Sequence, residues 1–429
     1  MDTPATPRPT DAPSTPDTDP THLARLRGVL ADDRGQANLI GMVFVIVILL
    51  GMLTFAQTHI APQIRQETEI KHASTVTTDF QGIHGDTISA TTTGQRASTV
   101  LHMGREYPSS VFLIHPPDPA GRLSTTDPKT IELANVQATN GETADFLDGS
   151  TQQYDHQPVR YTPNYNQFRS AGVSVLELGT YYQDFDDTGV DVISDPHLVE
   201  GNTIRLAATH GDMATGSSDG KLFQTRPLSA SEQTVIVEDT GSRPEIRIET
   251  SLDAGTWREL LADEVDENPS PLNDRYIVNI KDGGGDVVVI VLEQDATYEV
   301  NTAKLHHKTA DQPRAAKSEV PAVAYLTTAQ ATETTVPADG TKQFTLEVRD
   351  RFNNPLPNEA IEATTSHPDS SVDAVTRVSR TDGTVTLIYH APSSAATPPD
   401  QDTLTVLLTT ADSLPPDQRT VEFTINIED

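Results

Sequence analysis

The chain has 429 residues, with 62 Asp+Glu against 30 Lys+Arg for a formal net charge of −32, 35% hydrophobic and 5% aromatic residues, and no cysteine. At roughly 100–200 residues per domain this length holds two or three folded units, and the scarce apolar residues must be concentrated in a few segments. The charge excludes general attraction to nucleic acid, and the lack of cysteine excludes thiolate nucleophiles, disulfides, Cys-ligated zinc and iron–sulfur clusters.

The first 20 residues are rich in Pro, Thr and Asp (TPATPRPTDAPSTPDTDP over Thr3–Pro20), a composition that predicts a disordered leader over residues 1–35. From Leu39 to Ala56 the chain reads LIGMVFVIVILLGMLTFA, eighteen residues without a charge. This matches a membrane-spanning helix better than a removed signal, because no small-x-small cleavage site closes the run. Arg25, Arg27 and Arg34 precede it closely, while Arg65 and Lys71 follow, so the flanking cations place the N-terminus inside and the bulk of the chain outside the cell.

Asp32-Asp33-Arg34-Gly35-Gln36, followed by the hydrophobic run, resembles the class III signal of archaeal type IV pilins and archaellins. The resemblance implies that a prepilin peptidase cuts between Gly35 and Gln36, that the helix is retained, and that other pilin-like subunits are partners. Ile40 stands where bacterial pilins carry a glutamate; an uncleaved membrane anchor is the alternative. The excess of carboxylates over only eight lysines is similar to the proteins of halophilic archaea, where molar salt shortens the screening length to about 3 Å and makes a carboxylate shell tolerable.

Ile60, Ile64, Ile70, Ala73, Val76, Phe80 and Ile83 recur at spacings that extend the helix as an amphipathic rod over residues 36–85. Pro62 is expected to kink it, and Gly82, Gly85 and Gly94 to mark its end. Residues 86–308 predict a β-rich extracellular head of antiparallel strands at Val111–Ile114, Ile131–Val136, Val173–Leu178, Ile204–Ala208, Thr234–Val237 and Ile246–Thr250. A Gly-rich hairpin joins Tyr276–Ile280 to Val287–Leu292, and a short helix at Thr256–Glu264 carries Trp257, Leu260 and Leu261 as core residues. PPDPAGRLSTTD, YTPNYNQF and RPLSAS are similar to segments of uncharacterised pilin-like membrane proteins of halophilic archaea. The tyrosines of YTPNYNQF either pack locally or offer a carbohydrate-stacking surface.

Three motifs point toward chemistry. Gly216-Ser217-Ser218-Asp219-Gly220 spells G-x-S-x-G, but a strand-like run follows where a nucleophile elbow needs a helix, so a hairpin loop is expected and a serine hydrolase using Ser218 is the remote alternative. Asp184, Asp186, Thr188, Gly189 and Asp195 take positions one, three, five, six and twelve of a calcium loop, with Asp195 in place of the bidentate glutamate, and a solvated turn is the competing reading. His306-His307 lie on one strand, where neighbouring side chains face opposite ways and cannot share a zinc ion. No catalytic residue, cofactor or metal is therefore assigned, and the surface ligand is unspecified.

Thr309–Val323, rich in Ala and Pro, reads as a linker. Residues 324–429 predict a β-sandwich of regularly spaced strands. Within it ADGT (Ala338–Thr341), the V-x-D-x-x-x-N-P-x-P turn (Val348–Pro357) and TDGT (Thr381–Thr384) resemble the invasin/intimin-type bacterial immunoglobulin-like domain. That resemblance implies a spacer or adhesive tip. The fold class expected is mainly β, with one long N-terminal α-helix, a β-rich head and a terminal Ig-like sandwich.

Overall fold

The computed structural model describes residues 33–109, 116–266, 275–313, 320–393 and 400–428. The leader up to residue 32 and the expected strand Val111–Ile114 lie outside the described residues. The helix as far as Ile64 forms one unit, and the chain from Arg65 onward, apart from residues 109–114, forms the other.

In the first unit, helix α1 (Asp33–Phe55) passes through a π turn (Ala56–Ile60) into the first residues of helix α2 (Ala61–Thr93), which from Arg65 on belongs to the second unit. The turn answers Pro62, which has no N–H for the Thr58 carbonyl; the Ala61 N–H reaches the Ala56 carbonyl instead, widening the coil by one residue. The 23 residues of α1 rise about 35 Å, enough for a hydrocarbon core of about 30 Å. Every side chain from Asn38 to Phe55 is exposed. Helix α2 outlasts residue 85 and stops at Gly94, the last of the three expected breakers. There φ is +64°, and a Cβ would stand 2.8 Å from the Ala230 carbonyl oxygen. Its many threonines are compatible with a helix because their hydroxyls bond back to carbonyls four residues earlier, as at Thr77, Thr87 and Thr91.

The second unit holds three head sheets and a sandwich. A seven-stranded sheet centres on Tyr298–Thr309, flanked by Thr203–His210 on one side and by Gly220–Ser229 and Val235–Asp239 on the other. The pairing of Thr203–His210 with Tyr298–Thr309 is parallel, a departure from the antiparallel expectation that explains the nearly continuous burial of the central strand. A six-stranded sheet runs from Ala214–Ser217 through Ala120–Thr125, Val159–Asn164, Val173–Glu177 and Thr180–Asp184 to Val190–Ser194. A five-stranded sheet contains the expected hairpin, Ile277–Gly284 and Val287–Leu292, with Gly284 and Gly285 at positive φ. Its core takes in Trp257, held by a helix of Ala254–Leu260 whose start is capped by Asp253 accepting from the Gly255 and Thr256 N–H groups at 2.7 and 2.9 Å.

At the C-terminal end two four-stranded sheets face each other over a core that includes Phe344, Leu387, Leu404 and Phe423. Their strands are A (Val323–Thr327), A′ (Glu333–Pro337), B (Thr341–Asp350), C (Ile361–Thr365), D (Ser371–Ala374), E (Thr384–His390), F (Asp400–Leu408) and G (Thr420–Glu428), and the two sheets run A-B-E-D and A′-G-F-C. This is the immunoglobulin-like arrangement, with A′ (Glu333–Pro337) parallel to G (Thr420–Glu428). The protein is thus mainly β, with one long N-terminal apolar helix, a β-rich head and an Ig-like sandwich.

Candidate functional sites on helix α2 and the C-terminal sandwich

The face of α2 that meets the head is Glu69, His72, Val76, Phe80, Ile83, Thr87 and Ala90, all buried, at steps of three or four. Its stretch from Val76 through Phe80 to Ile83 is apolar as expected and packs on Leu101, Leu123, Tyr161 and Tyr181. Its lower half is polar: Ile70, expected inside, is exposed, and Glu69 takes the inward place. The Glu69 carboxylate accepts hydrogen bonds from the backbone N–H groups of Asn166, Gln167 and Phe168 at 2.8, 2.8 and 2.6 Å, and from the Tyr107 hydroxyl at 2.5 Å. A buried carboxylate with four donors is fully compensated. Burial and the Glu69 contact together push the Tyr107 phenol up to about 12, so it stays a donor.

One turn on, His72 Nε2 lies 3.0 Å from the His102 carbonyl and therefore donates, which leaves Nδ1 to accept from the Tyr165 hydroxyl at 2.7 Å. Burial lowers the His72 pKa, in keeping with this neutral tautomer. Asp79 then receives both the N–H and Nδ1 of His102 at 2.8 Å, and Asp86 the hydroxyl of Thr99. The YTPNYNQF segment is thus locked onto the helix by Glu69 and His72; within the head Tyr161 donates to the Met103 carbonyl at 2.8 Å, and Tyr165 and Phe168 stack with centroids 6.1 Å apart.

The motifs singled out by sequence fall in separate places. Ser218 is exposed at a corner between Ala214–Ser217 of the six-stranded sheet and Gly220–Ser229 of the seven-stranded sheet. The expected hairpin is not formed, because its two arms pair with different sheets; strand, turn and strand also leave no helix to aim a nucleophile. In the calcium motif Asp184 accepts the Asp186 N–H at 3.0 Å and faces Arg160, and the loop closes at Gly189. The strand Val190–Ser194 then carries Asp195 about 16 Å along the sheet. The carbonyl of Asp195 is held by His84, and its carboxylate does not join the other three oxygen donors. Among the described residues no three His, Asp or Glu groups gather as a metal would require. His307 is wholly buried against Phe223 and Thr87, and burial depresses its pKa to about 3. His306 sits across the ladder from His210. Gly35 and Gln36 lie within the first turn of α1.

The V-x-D-x-x-x-N-P-x-P turn is a clasp between sandwich and head. Asp350 Oδ1 accepts the N–H groups of Phe352 and Asn354 at 2.8 and 3.2 Å, and Asn353 adopts φ +57°. This presents Asn354, whose amide donates to the Ser229 hydroxyl and the Thr302 carbonyl at 2.7 and 3.0 Å and accepts from Ser231 at 2.6 Å. The Phe352 ring lies 4.9 Å from that of Tyr154, with Arg351 over both. Arg349 pairs with Glu142 of the head and with Glu347. Tyr325 and Phe352 are part of the head's own core.

No family model matches the chain, and no curated protein matches it. Among solved structures it is similar to domains 4 and 5 of the S-layer protein SbsC (11% identity over 33% of this chain and 65% of that one, TM-score 0.21). It is also similar to the D0–D1 domain of intimin (12%, 43% and 90%, TM-score 0.18) and to the Lin-41 filamin domain (18%, 25% and 96%, TM-score 0.19). Values this low assign the chain to no family.

Proposed function

We propose that this is a membrane-anchored, cell-surface protein with a structural or adhesive role, built as a pilin-like subunit of a halophilic archaeon. Its N-terminus lies inside and its head and sandwich outside. The observation that carries the reading is the contrast along the chain: residues 39–55 are uncharged, almost all apolar and every one exposed, while from Glu69 onward the inward face is buried in the chain's own head. A hydrocarbon environment, of lipid or of a filament core, is what such a segment requires. Prepilin peptidase and other pilin-like subunits are the proposed partners, and neither nucleic acid nor a catalytic activity is assigned.

Mass spectrometry of the mature N-terminus together with protease added to intact cells tests it. A chain beginning at Gln36, with its C-terminal sandwich digested, is the expected result; a sandwich protected in intact cells rejects the surface placement. An uncleaved monomeric anchor is the second reading, favoured by Ile40 standing where bacterial pilins carry a glutamate, and an intact residue 1 in membranes selects it.

A further inference from the structure

Beside α2, at the YTPNYNQF loop, lies a cavity of about 240 Å3. Three half-buried rings wall it. Tyr165 and Phe168 are stacked with 25° between their planes. Phe185 lies against Gly172, where a Cβ would be 2.8 Å from the ring, so only glycine lets that ring close the wall. Polar groups face them from the helix and the sheet. Gln183 Nε2 donates to the Thr77 hydroxyl at 2.9 Å, and that hydroxyl donates on to the Ala73 carbonyl. The Gln183 amide also reaches the Tyr181 hydroxyl, and among the described residues no hydrogen bond goes to the Gln183 carbonyl oxygen or to the Ser74 hydroxyl, which is exposed. No carboxylate, ammonium, guanidinium or imidazole lines the cavity, in a chain of net charge −32.

Each of these facts narrows the ligand. A charged ligand finds no counter-charge, and a hydrocarbon would leave the Gln183 amide oxygen dry and unpaired. The volume is below the roughly 300–1,000 Å3 of sites for larger ligands, so one ring fits. A ring with an apolar face for the aromatics and an edge of hydroxyls for Ser74 and Gln183 meets both demands. We propose that this cavity binds a single neutral pyranose, the terminal sugar of a surface glycan. The inference deepens the adhesive reading and rests on it for where the glycan is met, but binding to the purified chain does not depend on membrane placement, so each can fail without the other.

The test is saturation-transfer NMR on the detergent-solubilised full chain, with the methyl glycosides of glucose, galactose, mannose and N-acetylglucosamine, and glucuronate as the charged control. At least one neutral glycoside is expected to bind with a millimolar Kd. Phe168→Ala and Phe185→Ala should weaken it by about fivefold, the scale of one lost aromatic contact. Phe168→Ala leaves the backbone bond to Glu69 in place. Ser74→Trp, at an exposed helix position, should block binding with the unfolding midpoint unchanged, and it decides the matter if a phenylalanine variant fails to fold. The proposal is overturned if no neutral glycoside binds, if glucuronate binds as tightly, or if Ser74→Trp binds like the wild type.

Discussion

Glu69 shows what a single side chain does when its setting is complete. An isolated buried carboxylate would cost several kcal/mol, yet three backbone N–H groups and a phenol converge on this one. Glu69→Gln keeps the shape but removes the charge from four bonds and turns an amide NH2 toward N–H donors. The full chain is expected to lose about 2 kcal/mol of stability, read as a lower thermal midpoint, and an unchanged midpoint would refute the account. The residue was not legible in the sequence. Apolar periodicity followed Ile70, which is exposed, because a pattern of hydrophobic residues cannot register a polar residue whose partners come from a loop about 100 positions away. Trp257 and Leu261 were legible because their burial follows from local helical spacing and a local cap.

Turns and strands divide in the same way. The hairpin at Ile277–Leu292, the end of α2 at Gly94 and the sandwich strands follow from glycine placement and alternation over a few residues. The corner at Ser218 and the parallel pairing of Thr203–His210 do not, since which strands become neighbours is set by contacts far apart in the chain. The Val348–Pro357 turn was recognisable, but its use as a clasp depends on Ser229, Ser231 and Thr302. It also carries a pH signature. Burial raises the Asp350 pKa to about 6 from 3.8, so the folded chain holds this proton more tightly than the unfolded one. That contribution is complete below about pH 4 and is lost as pH rises through about 6, on the order of 2 kcal/mol. Asp350→Asn retains an oxygen for the Phe352 and Asn354 N–H groups without the charge. Its stability relative to the wild type should therefore climb between pH 4 and pH 7, and parallel pH profiles of the two melting temperatures would contradict this.

Across the whole chain, composition correctly set the class: few apolar residues, gathered into one exposed helix and compact β cores. What it could not convey is that head and sandwich share a core through Tyr325 and Phe352. The wild-type chain from Arg65 onward is accordingly expected to unfold in one calorimetric transition. Phe352→Ala, at a cost of about 3–5 kcal/mol, should split that transition into one for the sandwich and one for the head. A single transition in the variant would show the two coupled by other means. The clasp also sets the path of mechanical load. Tension applied to the sandwich reaches the head through Asn354 and Phe352 before it loads the thirteen residues that join the strand ending at Thr309 to the one beginning at Val323. Once the clasp lets go, that connection can extend to about 45 Å, so a pulled chain would give a sudden slackening before any sheet is torn.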